Sequence, residues 1–182
     1  MPTITTSRRT DTPLVPVKMI SHGTLSSVDM QESRRFYEEV LGFEVVQLSP
    51  VSMLIRLGSH HTYVVVETGE PGHMTVLDHN GLDVATTADV DTAYTKLTAV
   101  KDDYGIKRIN RVMQQHGTYS FYFEDRDSNW WEIASATGLG YSWVYDDSAR
   151  DLTGRDGIDL EMMEHTFDDD YAQRIRNAPQ TK

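Results

Sequence analysis

The chain carries seven histidines and no cysteine, so metal ligation or proton transfer here rests on imidazole and carboxylate rather than thiolate. His22 stands in "MISHGTLSS" and His79 in "VLDHNGLDV". Each lies in an apolar stretch that leads toward an acidic helix start. His60 and His61 are adjacent in "SHHTY", at the mouth of the apolar run Val64 to Val66. A strand sends neighbouring side chains to opposite faces, so at most one of this pair can point where a site built on the other strands points. A third region is "QHGTYSFYFEDRDSNWWEI", with His116, Tyr122 and Glu132. If the loop Asp125 to Asn129 joins two antiparallel strands, Tyr122 falls opposite Glu132, and the two share one side of the sheet.

The elements that must position these residues repeat. After a polar, proline-containing lead, Met19 to Val28 reads as a strand. "DMQESRRFYEEVLGF" then places Phe36, Tyr37, Val40 and Leu41 on one helical stripe, with Gly42 as the stop. Strands are predicted at Phe43 to Leu48, Ser52 to Leu57 and His61 to Glu67, separated by Ser-Pro and Gly-Ser breaks. That order is βαβββ. The second copy has a strand holding His79, a helix burying Val90, Ala93, Tyr94 and Leu97, and strands at Lys107 to Val112, Tyr119 to Glu124 and Trp130 to Ala134. The repeat gives His22 and His79 comparable places in the first strand of each unit. Phe121, Phe123, Trp131 and Ile133 have the parity opposite to Glu132 and read as sheet-packing residues, whereas Trp130 shares the Glu132 side.

Neither half can bury a core alone, so the two are predicted to associate into one α+β domain. The expected organisation is an N-terminal extension at 1–18, module one at 19–70, module two at 74–135 and an acidic C-terminal extension at 136–182. His165 lies among the aspartates of that extension, which reads as surface rather than as a second metal site.

Composition narrows the partners. A formal net charge of −11 argues against a nucleic-acid surface, which needs clustered Lys and Arg. No run reaches the roughly 18 apolar residues of a membrane span, and the start lacks the apolar core of a signal peptide. With no cysteine, the expectation is a cytoplasmic protein acting on small molecules.

The paired units, with "SHGTLSSVDMQESRRFYEEVLGFEVV" early and "FYFEDRDSNWWEI" late, resemble the vicinal oxygen chelate superfamily. That superfamily includes glyoxalase I, fosfomycin-resistance enzymes, antibiotic-binding proteins and type I extradiol dioxygenases. The resemblance spans about residues 19–135 and implies two paired βαβββ modules forming a cup-shaped sheet around one metal site. By the same resemblance the ligands are His22, His79 and Glu132. Two imidazoles and one carboxylate leave coordination positions open, as oxygen chemistry at Fe(II) requires, and Mn(II) suits such a set as well.

Within the superfamily the chain looks most like a small extradiol dioxygenase. The implied activity is O2-dependent ring opening of a catechol-type substrate. His61 is then the reactive histidine, in a His-His-Thr step, with His73 as a substitute. Tyr122 and His116 are placed to hydrogen bond the substrate oxygens. Superfamily cups often pair, so a homo-oligomer is expected. Two other readings stay open. In a glyoxalase-type lyase or isomerase, Glu67 is a fourth ligand to Ni(II), Zn(II) or a similar ion. In a metal-free binding module, the trio has no metal to hold.

Overall fold

The computed structural model describes residues 12–58, 60–115, 118–136 and 141. Strand β1 (His22–Ser27) buries Leu25 and Ser27 and leaves Thr24 outside the core, the period-2 pattern of a sheet covered on one face. Helix α1 (Met30–Arg35) begins at Asp29, whose carboxylate accepts from the N–H groups of Gln31 and Glu32 at 3.0 Å. It runs on as a π-type turn over Phe36–Val40 and ends at Gly42, whose φ of 70° only glycine adopts freely. Strands β2 (Glu44–Ser49), β3 (Ser52–Arg56) and β4 (Thr62–Glu67) follow. The sheet order is β1-β4-β3-β2, with β1 and β4 parallel and the other pairs antiparallel.

The second unit repeats that order. Strand β5 (Asn80–Asp83), helix α2 (Thr87–Ala99), β6 (Arg108–Ile109), β7 (Met113–Gln115), β8 (Thr118–Glu124) and β9 (Trp130–Ala136) form a sheet ordered β5-β9-β8-β6, with β7 also on β8. The mixed α+β class and the two βαβββ units are therefore as the sequence predicts. Two details differ. The strand expected from Lys107 to Val112 is shortened to β6, although Asn110 N–H still donates to Tyr122 O at 2.8 Å, and β7 beyond it is a strand the sequence reading does not contain. The strand expected around His79 starts one residue after it, because Val76–Asp78 closes into a 3₁₀ turn. There Thr75 Oγ1 accepts from Leu77 N–H, while Asp78 accepts from Thr75 N–H and Oγ1. That reciprocal cap outweighs the apolar character of Val76 and Leu77. Among the described residues no helix is long and apolar enough to cross a membrane. The expected C-terminal extension, His165 included, lies outside the described residues apart from Ala136 and Tyr141.

Both helices cover one side of the sheets. Leu25, Met53, Ile55 and Val65 from sheet one and Phe121, Phe123, Trp131 and Ile133 from sheet two meet in a single core. Helix α1 joins the two: Phe36 lies edge-on to Phe123 at 6.3 Å and Tyr37 edge-on to Trp131 at 6.0 Å. Tyr63 reaches Trp131 at 5.9 Å by lying across Gly23, where a Cβ would come within 2.8 Å of its ring. Neither unit buries its face without the other, and the shared core is the physical reason they associate.

The units are also latched by the turn between β8 and β9. Asp127 accepts from Val28 N–H at 2.8 Å and from the Ser33 hydroxyl at 2.5 Å, and its carbonyl accepts from Gly72 N–H at 2.7 Å. Asn129 Nδ2 donates to Ser26 O at 3.0 Å. Parity then assigns the helix-free face of the sheets: His22, Thr24 and Ser26 on β1, Thr62, Val64 and Val66 on β4, and Ser120, Tyr122, Trp130 and Glu132 on β8 and β9.

Candidate metal centre

Glu132 is the centre of the site. It pairs with Tyr122 across β8 and β9, the register that the length of the Asp125 to Asn129 loop predicts. Its side chain is buried, at 2% exposure, yet it carries charge. Burial pushes its pKa up, but hydrogen bonding from His79, Ser120 and Tyr122 outweighs this and leaves the carboxyl below its ordinary value. Ser120 was not singled out from the sequence. Its signal was available, since it lies two residues before Tyr122 and so has the same parity.

His79 Nε2 lies 3.4 Å from Glu132 Oε2, and the imidazole stands edge-on to the Tyr122 ring at 4.8 Å. On its other side Nδ1 is 2.6 Å from Val76 O. A carbonyl only accepts, so Nδ1 carries a proton and Nε2 is the nitrogen turned to the carboxylate. In neutral His79 that nitrogen would present a lone pair to a carboxylate oxygen. The contact is favourable only with a cation between them or with a second proton on the ring. Burial lowers the His79 pKa, and the bonds to Glu132 and Val76 O more than offset it, so the pKa is raised.

The other predicted residues are placed differently. His22, first residue of β1, is exposed, with Nδ1 2.8 Å from Ser21 Oγ. Among the described residues no three His, Asp or Glu side chains gather closely enough to hold a metal, so His22 does not join the His79–Glu132 pair. His61 precedes β4 and sets its ring edge-on to Tyr63 at 5.0 Å. Tyr63, Val65 and Glu67 belong to the helix side: Val65 is buried in the core, and Glu67 Oε2 accepts from Met30 N–H at 2.6 Å. The sequence reading put His61 on the site's face, and the structure reverses that parity. The reason is that Val64, Val65 and Val66 are apolar on both faces, so the run carries no alternation from which to choose. Were the β4 alternation continued two residues back from Thr62, it would put His60 on the face of Thr62 and Val64. Glu67, the fourth ligand of the lyase reading, is committed to the first turn of α1. His73 is exposed in the connection after β4. His116 lies outside the described residues. Trp130 is buried on the Glu132 side.

The family model for the glyoxalase/bleomycin resistance protein/dioxygenase superfamily matches residues 19–133. The chain belongs to this superfamily. No curated protein matches it. Among solved structures, a lactoylglutathione lyase from Agrobacterium tumefaciens is 19% identical, covering 66% of this chain and 96% of its own at a TM-score of 0.50. A glyoxalase/bleomycin resistance protein/dioxygenase from Nocardioides is 21% identical, covering 69% and 88% at 0.52. A glyoxalase-related enzyme from Fulvimarina pelagi is 22% identical, covering 65% and 88% at 0.53. At these identities the likeness is one of fold.

Metal dependence is typical of the superfamily, and two of the donors here fit it. Glu132 Oε1 is buried and accepts no hydrogen bond of good geometry, a costly state for a carboxylate oxygen unless a cation serves it. His79 is held by Val76 O in the tautomer that offers Nε2, as metal-bound histidines usually are. The third expected donor, His22, is on the same face but apart from them.

Proposed function

We propose that the chain is a metal-dependent extradiol dioxygenase that opens the ring of a catechol-type substrate with O2. The observation that carries the reading is Tyr122, a hydroxyl set directly beside a buried carboxylate and the half-buried imidazole paired with it. In this reading His79 and Glu132 would hold Fe(II) or Mn(II), and His22, the third donor that the resemblance implies, would have to close on them from its place on the same face. When bound, such an ion would supply Lewis acidity toward substrate oxygen and a path for electrons between ring and O2. Tyr122 would turn its hydroxyl proton from Glu132 to the substrate oxygen that has lost its own, while Ser120 keeps Glu132 oriented. Val46, Leu54, Val64 and Val66 share the helix-free face of module one by register and offer an aromatic ring an apolar wall that excludes water. The test is metal content together with O2 uptake over a small catechol panel. About one equivalent of Fe(II) or Mn(II) per chain and O2 consumption matched by ring-opened product are expected. Metal without any O2 uptake on the panel would reject the reading.

Two variants separate this reading from its rivals. Glu67→Gln keeps an acceptor for Met30 N–H and removes only a charge. It is expected to leave metal content unchanged and to cost at most about 1 kcal/mol of stability. Loss of metal from this variant would instead favour the lyase. For the adjacent histidines, the ring contact of His61 with Tyr63 favours His60 as the residue nearer the site. His60→Ala is therefore expected to lower turnover more than His61→Ala, whose ring packs on Tyr63. A general acid contributes about a hundredfold to ten-thousandfold, so a drop of that size at His61 alone would restore the original register.

A further inference from the structure

The helix-free face of module one is open and yet apolar. Register sets Val64, Leu54 and Val46 in one row across β4, β3 and β2, beside Thr24 of β1, and Val66 lies two residues further along β4. None of these four apolar side chains is buried, and Val46 is 59% exposed. A single exposed valine is ordinary. Four apolar side chains gathered on one open sheet face make a patch of the kind that receives an apolar ligand.

The charges on that side of the two sheets are acidic in balance. Among the described residues, its strand positions carry Glu44, Asp83, Glu124 and Glu132 against Arg56 and Arg108. Both cations are already paired across outer strands, Arg56 with Glu44 at 2.5 Å and Arg108 with Glu124 at 3.2 Å. The remaining two charges, Asp83 and Glu132, are both negative. Glu132 is offset by any divalent ion it holds, but a substituent directed away from it meets valine and leucine. A carboxylate laid there would lose its water and gain no cation in return.

The patch adjoins the metal centre. Tyr63 reaches across Gly23 to Trp131 at 5.9 Å, and Asn129 Nδ2 donates to Ser26 O at 3.0 Å, which sets β1 and β4 of module one against the start of β9. Val64 and Glu132, the chain neighbours of Tyr63 and Trp131, point to the opposite side, so both lie on the helix-free face. Resting on the dioxygenase reading above, we infer that the ring substituent of the substrate is uncharged and apolar, an alkyl or aryl group that lies on Val64, Leu54, Val46 and Val66, and that catechols carrying a carboxylate are disfavoured. The row from Val64 to Val46 spans two strand spacings, roughly 10 Å, which gives room for a second ring.

The test is calorimetric binding, under nitrogen so that no turnover intrudes, of alkyl-substituted catechols from methyl to butyl and of catechols bearing a carboxylate or an acetate group. Affinity is expected to rise about twofold to fourfold with each CH2 added, up to the worth of fully burying one such group. The carboxylated compounds should bind more weakly than methylcatechol. Val64→Lys should flatten the alkyl series and raise the affinity of carboxylated relative to butyl catechol by about tenfold. Val46→Lys, at the more exposed end of the row, should do the same to a smaller extent, and thermal melting checks that both variants fold. O2 uptake on the same compounds separates this inference from the reading it rests on: affinities in the expected order without ring opening would count for the apolar wall and against the dioxygenase. A flat series, tighter binding of the carboxylated catechols, no binding of any catechol, or an alkyl preference that both lysine variants leave intact would overturn the inference.

Discussion

Glu132→Gln is expected to lower metal affinity by more than about a hundredfold and to abolish O2 uptake. The lower bound follows from the cost of losing a mere orienting partner of a ligand, about tenfold to a hundredfold, which loss of a ligand itself should exceed. A second readout needs no metal. In the metal-free protein Glu132 holds the His79 pKa up, and His79 helps hold the Glu132 pKa down. A base whose folded pKa is raised stabilises fully below its ordinary value, 6.5 for His79, and loses that contribution as pH rises through the raised one. An acid whose folded pKa is depressed stabilises above its ordinary value, 4.5 for Glu132, and loses it as pH falls through the lowered one. The pair therefore stabilises the metal-free fold most between pH 4.5 and 6.5. In Glu132→Gln that maximum should disappear, and the His79 resonance should titrate at lower pH, because burial alone depresses a histidine. A His79 pKa that does not move would mean that the two side chains are not coupled as the 3.4 Å contact implies.

What could be read in the sequence follows from where the information lies along the chain. The two units were legible because helix and strand periods differ and because the stops, such as Gly42, are local. Tyr122 opposite Glu132 was legible for the same reason, since a five-residue loop between two strands fixes their register. The packing parity of Phe121, Phe123, Trp131 and Ile133 followed from it. His61 was not legible, because three consecutive valines satisfy both faces of β4. The start of β5 was missed because the Thr75–Asp78 cap competes with strand at an apolar Val-Leu step. The assembly of His22 with His79 and Glu132 was an expectation from resemblance alone, and nothing local to any of the three dictates their distance. The contacts of Asp127 were invisible for the opposite reason. It sits in a loop that reads as a plain turn, and its partner Ser33 is 94 residues away in sequence.

Asp127→Ala should therefore be among the most damaging single changes to stability, at about 2–4 kcal/mol. The side chain is 1% exposed and satisfies Val28 N–H and the Ser33 hydroxyl, both on module one, from a turn in module two. Truncation would strand the Val28 N–H, and an unsatisfied buried donor costs about 1–3 kcal/mol. Ser33 would be less affected, since its hydroxyl is also 2.9 Å from Asp29 O. The removed carboxylate would add a small void at the junction of the units. Asp127→Asn should cost much less, because the amide oxygen can still accept from Val28 while its NH2 donates to Ser33 Oγ. The two variants then separate hydrogen bonding from charge. Burial, with the Asp127 charge adding to it, pushes the neighbouring Asp125 up to about 7 against the Trp131 N–H that lowers it. Burial also raises Asp127 itself, opposed by Ser33 and Val28. Acids with raised folded pKa values contribute stability that is fully present below the ordinary value, 3.8, and is lost as pH rises through about 7. Asp127→Asn removes one of these groups and relieves the other, so its urea midpoint should fall less between pH 5 and pH 8 than that of wild type. If Asp127→Ala loses under about 1 kcal/mol, the turn is not the latch. If wild type and Asp127→Asn show the same pH dependence, the two carboxylates do not share a field across it.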